Sequence, residues 1–293
     1  SSINRNQLLV NTTDAARAIT GISYNYQPAI HLCFTYPDAH EAWRIVMAFK
    51  DRVILIQEDE EPVVTMYDYP ANWFNFSSNG QYVLLQNDHK NEGSIDYFLR
   101  VDALNSCVDT LASNPSNLDT AFGNAFVANT GSIVFSRLID FERFQSEYYF
   151  TDSNLELTSS TETVYASGQV WLGNRFFMAN LGTCFLYDQD GYMIWETELG
   201  ASIIGKPVLS RTDGVLLLAA YDGLIHQLDV ETGAQVSTIE MPSPYMGWHL
   251  SLDSRRRRWL ADTWDIEYSA IAGNLSDANI SSIRSSVPES LHQ

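Results

Sequence analysis

Lysine is scarce in this sequence. There are three, Lys50, Lys90 and Lys206, against fourteen arginines, and the 17 bases face 36 acids for a net charge of −19. A chain so short of cations is not an electrostatically driven nucleic-acid binder, because phosphate contacts are made by Lys and Arg. Its surface stays in solution by self-repulsion and suits a saline or extracellular setting. Long apolar runs are missing as well. None approaches the roughly 20 residues of a membrane-spanning helix, so no membrane insertion is expected. No charged start followed by an apolar stretch marks a signal peptide, although a processed mature chain would look the same. A chain starting SSINRNQ, without methionine, is expected to have been trimmed.

Cysteine is scarce too. Cys33, Cys107 and Cys184 are odd in number and far apart. They form neither a CxxC pair nor a disulfide framework, and they read as buried small residues. There is no G-x-S-x-G elbow, no HExxH and no GxGxxG. No cofactor and no metal is expected. No linker rich in Pro, Gly or Ser divides the 293 residues, so one domain is the economical reading.

What is present is aromatic and periodic. Aromatics make up 12% of the chain, which favours strands over helices. The stretch YDGLIHQLDVETG (221–233) has a partner upstream: NLGTCFLYDQDGYMIWETEL (180–199) matches YDGLIHQLDVETGAQVSTIE (221–240). Asp229 follows Asp188 by 229 − 188 = 41 residues. Each copy is a small turn, an alternating strand, an acidic glycine turn and another strand, which is a hairpin.

A second marker runs in the same phase. Hairpin turns fall at Asn79-Gly80, Thr130-Gly131, Gly173-Asn174, Asp213-Gly214 and around Ser254-Arg255, and the strands QYVLL, SIVFS, RFFMA, VLLLA and RRRWLA follow them. A third strand ends near an acid in YFLRVD (97–102), YYFTD (148–152), CFLYD (184–188) and HQLD (226–229). Two hairpins per period of about 41 residues make four strands, the size of one blade of a β-propeller.

Gly223 to Gly233 read GxIxxLDxxTG, which resembles the blade signature of quinoprotein-like propellers and their WD-repeat relatives; FSSNGQYVLL (76–85) resembles the first hairpin of the latter. The resemblance covers residues 73 to about 270 and implies architecture alone. The adjacent cysteines and calcium site of quinone-dependent dehydrogenases are not seen, and the one Trp-Asp pair, Trp264-Asp265, lies elsewhere in its repeat.

The expected fold is therefore all-β: a single β-propeller of six or seven four-stranded antiparallel blades over residues 1–282, with a polar tail at 283–293. Blades fall near 21–70, 73–115, 120–160, 163–200, 203–240 and 246–282. The first 70 residues are irregular, with short strands within 44–70 and turns at Lys50-Asp51 and Glu58 to Glu61. A lone strand at NQLLVN (7–12) is expected to close the ring and cover its open edge.

Candidate sites are few. Asp222, His226 and Asp229 offer metal-ligand types, but Asp229 and Asp188 open turns in which a carboxylate caps backbone N–H groups. GASIIGKP (200–207) nearly spells a phosphate-binding loop, yet Pro207 stands where a hydroxyl must bind magnesium, and the chain enters a strand. EDEE (58–61) reads as a hairpin tip. The run Arg255, Arg256, Arg257 and Arg258 occupies a hairpin turn and suits an anion or an acidic partner. Tyr245, Trp248 and His249 suit a pocket that stacks on a sugar or anchors a peptide. Trp73, Trp171 and Trp248 each sit in the first strand of a repeat. Asp262, Asp265 and Glu267 of DTWDIEY (262–268) are the carboxylates a glycan hydrolase or lyase would use.

The expected function is a non-enzymatic platform for a protein or peptide partner, or one subunit of a larger assembly, working through loops on one propeller face. The alternative is a glycan-active hydrolase or lyase with carboxylates at a central pocket.

Overall fold

In the computed structural model of the chain, every regular element among the described residues is a strand. The structure describes residues 31–35, 44–49, 51–57, 60–68, 73–87, 97–111, 122–140, 142–164, 166–210, 213–240, 246–253, 258–263, 268–274 and 280–284. The proposed ring-closing strand at 7–12 lies outside them.

The strands form consecutive four-stranded antiparallel meanders. The first is β1 (His31–Thr35), β2 (Arg44–Ala48), β3 (Arg52–Gln57) and β4 (Val63–Met66). The second is β5 (Trp73–Phe76), β6 (Tyr82–Asn87), β7 (Tyr97–Asp102) and β8 (Cys107–Leu111). The third is β9 (Phe122–Val127), β10 (Ile133–Asp140), β11 (Gln145–Thr151) and β12 (Leu157–Val164). The fourth is β13 (Ala166–Leu172), β14 (Arg175–Asn180), β15 (Thr183–Tyr187) and β16 (Met193–Glu198). The fifth is β17 (Ile203–Ser210), β18 (Val215–Ala220), β19 (Leu224–Asp229) and β20 (Gln235–Glu240). The sixth is β21 (Met246–Asp253), β22 (Arg258–Thr263), β23 (Tyr268–Asn274) and β24 (Ile280–Arg284). A parallel pairing of β17 with β21, at Lys206 and His249, joins the last two into one eight-stranded sheet.

The turn glycines expected from the sequence do the work assigned to them. Gly80, Gly131, Gly173 and Gly214 all have φ between 64° and 86° and lie between the first and second strands of their meanders. That left-handed region is open to glycine and costly for other residues. In the second to fifth meanders an aspartate at the end of the third strand caps the next turn. Asp102 accepts from the N–H of Leu104 and Asn105, Asp152 from Asn154 and Glu156, Asp188 from Asp190 and Tyr192, and Asp229 from Glu231 and Thr232.

The chain forms two compact units, Ser1–Ser116 and Asn117–Gln293. In the first, Val46, Ala48, Val53 and Leu55 pack with Val83, Leu85, Leu99 and Val101. Met47, Phe49 and Ile54 are buried on the opposite face of the first sheet.

In the second unit the fourth sheet is buried on both faces. Trp171, Phe176, Met178 and Tyr187 pack against Phe126, Val134, Tyr148 and Phe150 of the third sheet. Phe177, Ala179, Cys184, Leu186 and Trp195 pack against Ile203, Leu216, Leu218, Ala220 and Leu228 of the fifth. Successive side chains of a strand point to opposite faces, so a strand covered on both sides is apolar at every position. That is why β14 reads RFFMAN and β18 reads VLLLAA. Each large side chain buried here stabilises the fold by about 1.5–3 kcal/mol.

The acidic glycine turns lock one sheet to the one before it. Gly191, in the turn between β15 and β16, sits so close to the third sheet that a Cβ would stand 1.9 Å from Ser159 Oγ and 2.6 Å from the Phe150 ring. Ser159 Oγ donates to the Asp190 carbonyl at 2.6 Å. One repeat later, a Cβ on Gly233 would stand 2.6 Å from Thr197 Oγ1 and 2.7 Å from the Trp195 ring. Thr197 Oγ1 donates to the Gly233 carbonyl at 2.8 Å, and Trp195 Nε1 donates to the Val230 carbonyl at 3.0 Å. Arg175 and Glu231 add a bidentate pair at 2.8 Å. The turn of YDGLIHQLDVETG is thus an inter-sheet clasp.

The phosphate-loop lookalike has a structural origin as well. Gly205 and Lys206 lie inside β17, where the register with β18 shifts between Ile204 and Val208. Gly205 has φ 68°, and Gly168 occupies the equivalent irregularity of β13 with φ 61°. These are bulge glycines of first strands.

The expectation of three buried cysteines fails at one position. Cys184 is buried, but Cys107 is exposed. Cys107 opens β8, the outer strand of its meander, where most side chains face solvent.

Candidate functional site

The connections between second and third strands come at the same end of every meander. In the second unit three of them each present one large exposed apolar side chain: Phe144 (49% exposed), Leu181 (63%) and Tyr221 (62%). Two of these are held in a conformation that bulky residues avoid. Phe144 has φ 50° and Leu181 φ 44°, and left-handed backbone costs an L-residue roughly 1–2 kcal/mol. Leu181 and Gly182 (φ 96°) together form the two-residue loop joining Asn180 to Thr183, the positions of a type I′ turn, for which Asn-Gly is the preferred pair. The third connection is braced differently. Asp222 accepts from the N–H of Leu224 at 3.0 Å and pairs with His226 Nε2 at 2.9 Å. His226 is 3% exposed, and its Nδ1 has no hydrogen-bond partner among the described residues.

A groove of about 500 Å³ opens between the third and fourth sheets. Thr161, Glu162 and Thr163 of β12 form one wall; Phe185, Tyr187 and Met193 form the other, with Asn180 at the end of β14. Asn180 and Thr183 pair across the Leu181-Gly182 turn, so the groove runs up to that turn. Phe185 and Tyr187 present rings with centroids 6.4 Å apart and 30° between their planes. Burial raises the Tyr187 hydroxyl above the usual tyrosine range, opposed by a hydrogen bond with Thr161 and reinforced by the Glu196 carboxylate. Two buried oxygens of lining residues, Thr163 Oγ1 and Asn180 Oδ1, lack hydrogen-bond partners among the described residues. Among the described residues, none that lines the groove is cationic. Pattern reading missed this groove because Thr161 and Thr163 look like solvated strand residues; only the packing of two sheets faces them toward Tyr187.

The residues singled out in the sequence are placed as follows. Trp248 and His249 lie within β21, with His249 opposite Lys206. Arg258 is the first residue of β22 and pairs with Asp253, the last of β21. An eight-residue strand, roughly 26 Å at 3.3 Å per residue, runs from Met246 to that pair. Tyr245, Arg255, Arg256 and Arg257, with Asp265 and Glu267, lie outside the described residues. Asp222 and His226 meet, whereas Asp229 is committed to its own turn. No cluster of three or more metal-ligand side chains occurs among the described residues. Trp171 serves packing, edge-on to Phe176 at 5.3 Å.

The β-meanders, their sequential order and their two-sided burial define the class: this is a β-propeller fold. The chain is similar in structure to BamB from Moraxella catarrhalis, with a TM-score of 0.51 and 15% identity over 83% of this chain and 69% of that one. It is also similar to a chain of the Mitotic Checkpoint Complex, with a TM-score of 0.55 and 11% identity over 89% of this chain and 82% of that one. No protein-family model matches the sequence, and no curated protein matches it. The structural likeness extends to 1131 chains, so it identifies the architecture and selects no activity.

Proposed function

We propose that this chain is a non-catalytic protein-binding scaffold, working as a subunit of a larger assembly through the connections between its second and third strands. One observation carries the reading. Phe144, Leu181 and Tyr221 recur at one end of three successive meanders, exposed, and two of them are kept in left-handed backbone where a smaller residue is more stable. Single exposed apolar side chains are ordinary and contiguous patches mark interaction sites; what sets these three apart is their recurrence at one end of successive meanders, and strain retained at a site points to use. The assemblies in which similar folds are found, among them the Mitotic Checkpoint Complex, support the same direction.

The test is affinity capture from an extract of the source cells with wild type and with a Phe144→Ser/Leu181→Asn/Tyr221→Ser variant. The variant is expected to stay folded and to lose a stoichiometric partner. Replacement of Arg255 to Arg258 by serine, in the segment joining β21 to β22 and the start of the latter, is expected to leave capture intact. Equal recovery by wild type and the triple variant sinks the proposal.

A further inference from the structure

The groove beside Leu181 has its own chemistry. Its lining combines an aromatic pair, Phe185 and Tyr187, with two oxygens, Thr163 Oγ1 and Asn180 Oδ1, that have no partner among the described residues. Thr163 is 9% exposed, so its unmatched hydroxyl is a built feature of the wall and not a surface accident. An unpaired buried polar oxygen is costly, and a donor that reaches it relieves the cost. Negative charge stands on both walls. Glu162 lines one, and Glu196 lies directly across β16 from Phe185 on the other, near enough to act on the Tyr187 hydroxyl. Among the described residues no lining side chain is cationic, and the whole chain carries −19.

Donors, a flat face for stacking and positive charge are together the properties of a guanidinium group. It offers five N–H donors, stacks on aromatic rings and pairs with carboxylates. An ammonium supplies the charge without the plane, and a neutral amide supplies donors without the charge. We propose that the groove between the third and fourth sheets takes an arginine side chain from an extended segment of a protein partner. The guanidinium stacks against Phe185 and Tyr187, donates to Asn180 and Thr163, and is neutralised by Glu162 and Glu196. The volume of about 500 Å³ is within the range of roughly 300–1,000 Å³ of small-ligand sites. This inference rests on the scaffold reading and names the chemistry of the partner.

The test uses the full chain and a fluorescein-labelled heptapeptide with one central arginine flanked by leucine and alanine. Matched peptides carry lysine, citrulline or glutamate in its place. Fluorescence anisotropy is expected to rank arginine above lysine and lysine above citrulline, with at least a tenfold fall from arginine to citrulline and no binding of glutamate. Thr163→Val removes the unmatched hydroxyl at constant shape. It is expected to hold or raise the unfolding midpoint while weakening the arginine peptide about three- to tenfold, the worth of one hydrogen bond. Phe185→Leu and Glu196→Gln are each expected to weaken it as well, the second only at low salt.

Binding that ignores the charge of the central residue overturns the proposal. So does arginine binding that survives Thr163→Val and Phe185→Leu unchanged, or no peptide binding at all. If arginine peptides fail while capture still depends on Phe144, Leu181 and Tyr221, the groove inference falls alone. If capture is also indifferent to those residues, the scaffold reading falls with it.

Discussion

Gly191→Ala is the sharpest probe of how the sheets are fastened together. Gly191 has φ 87°, and Gly173, in an open hairpin turn, has φ 74°. The two alanine substitutions therefore carry similar backbone costs, roughly 1–2 kcal/mol each. They differ in what the new methyl meets. At Gly173 nothing lies within 4 Å, whereas at Gly191 Ser159 Oγ lies at 1.9 Å and the Phe150 ring at 2.6–2.7 Å. Relieving that overlap parts the turn from the third sheet. Overpacking costs about 1–3 kcal/mol, and loss of the Ser159-to-Asp190 hydrogen bond about 1 kcal/mol more. Gly191→Ala is thus expected to be the more destabilising of the two by about 2–4 kcal/mol. The assay is urea unfolding followed by tryptophan fluorescence, comparing midpoints at constant slope. Adding Ser159→Ala to Gly191→Ala removes the tightest contact and is expected to recover part of the loss. Equal midpoints for Gly173→Ala and Gly191→Ala would falsify the clasp.

Further expectations follow from the same contacts and strains. Gly233→Ala, with a methyl 2.6 Å from Thr197 Oγ1 and 2.7 Å from Trp195, should behave as Gly191→Ala does, seen as a lowered urea midpoint. Leu181→Asn suits the type I′ turn better and should raise the unfolding free energy by about 0.5–1 kcal/mol, seen as a higher urea midpoint, while weakening partner capture, the usual direction of a stability–function trade; a lowered midpoint contradicts the strain argument. In a Cys33→Ser background, Ellman's reagent at pH 8 should titrate Cys107 at once and Cys184 only after denaturant, because burial pushes the Cys184 thiol up to about 12. Burial also pushes the Tyr148 hydroxyl up to about 12. Both groups keep their protons in the folded chain and lose them sooner in the unfolded one. Their contribution to stability is whole at neutral pH and is lost as pH climbs from about 9 towards 12. The urea midpoint should fall across that window and fall less in Cys184→Ala, measured relative to its own neutral value.

The repeat was legible because its markers are local. A positive-φ glycine between the first two strands and an aspartate capping the turn after the third are decided within a few residues. Asp102, Asp152, Asp188 and Asp229 therefore announced themselves, as did Gly80, Gly131, Gly173 and Gly214. The boundaries of β2, β3 and β4 were readable for the same reason, despite the irregular sequence around them. Strand glycines were harder. Gly168 and Gly205 precede the strand segments QVWL and KPVLS, and only the register shifts identify them as bulges. The groove was invisible for a different reason. Thr161 and Thr163 lie opposite Tyr148 and Ser146 in one sheet and face Tyr187 of another, and that relation is set by how two sheets pack. The exposure of Cys107 belongs to the same class, since it depends on which strand is the outer one. Phe144 and Leu181 read as ordinary hydrophobics until their backbone angles are known.

Site-specific photo-cross-linking tests the scaffold reading most directly. A benzophenone side chain is placed in turn at positions 144, 181 and 221, and at two exposed apolar positions on outer strands, Met66 and Val108. Irradiation in an extract of the source cells is expected to yield one common adduct from the first three positions and none from the other two. Adducts spread evenly over all five positions, or formed only at 66 and 108, would contradict it.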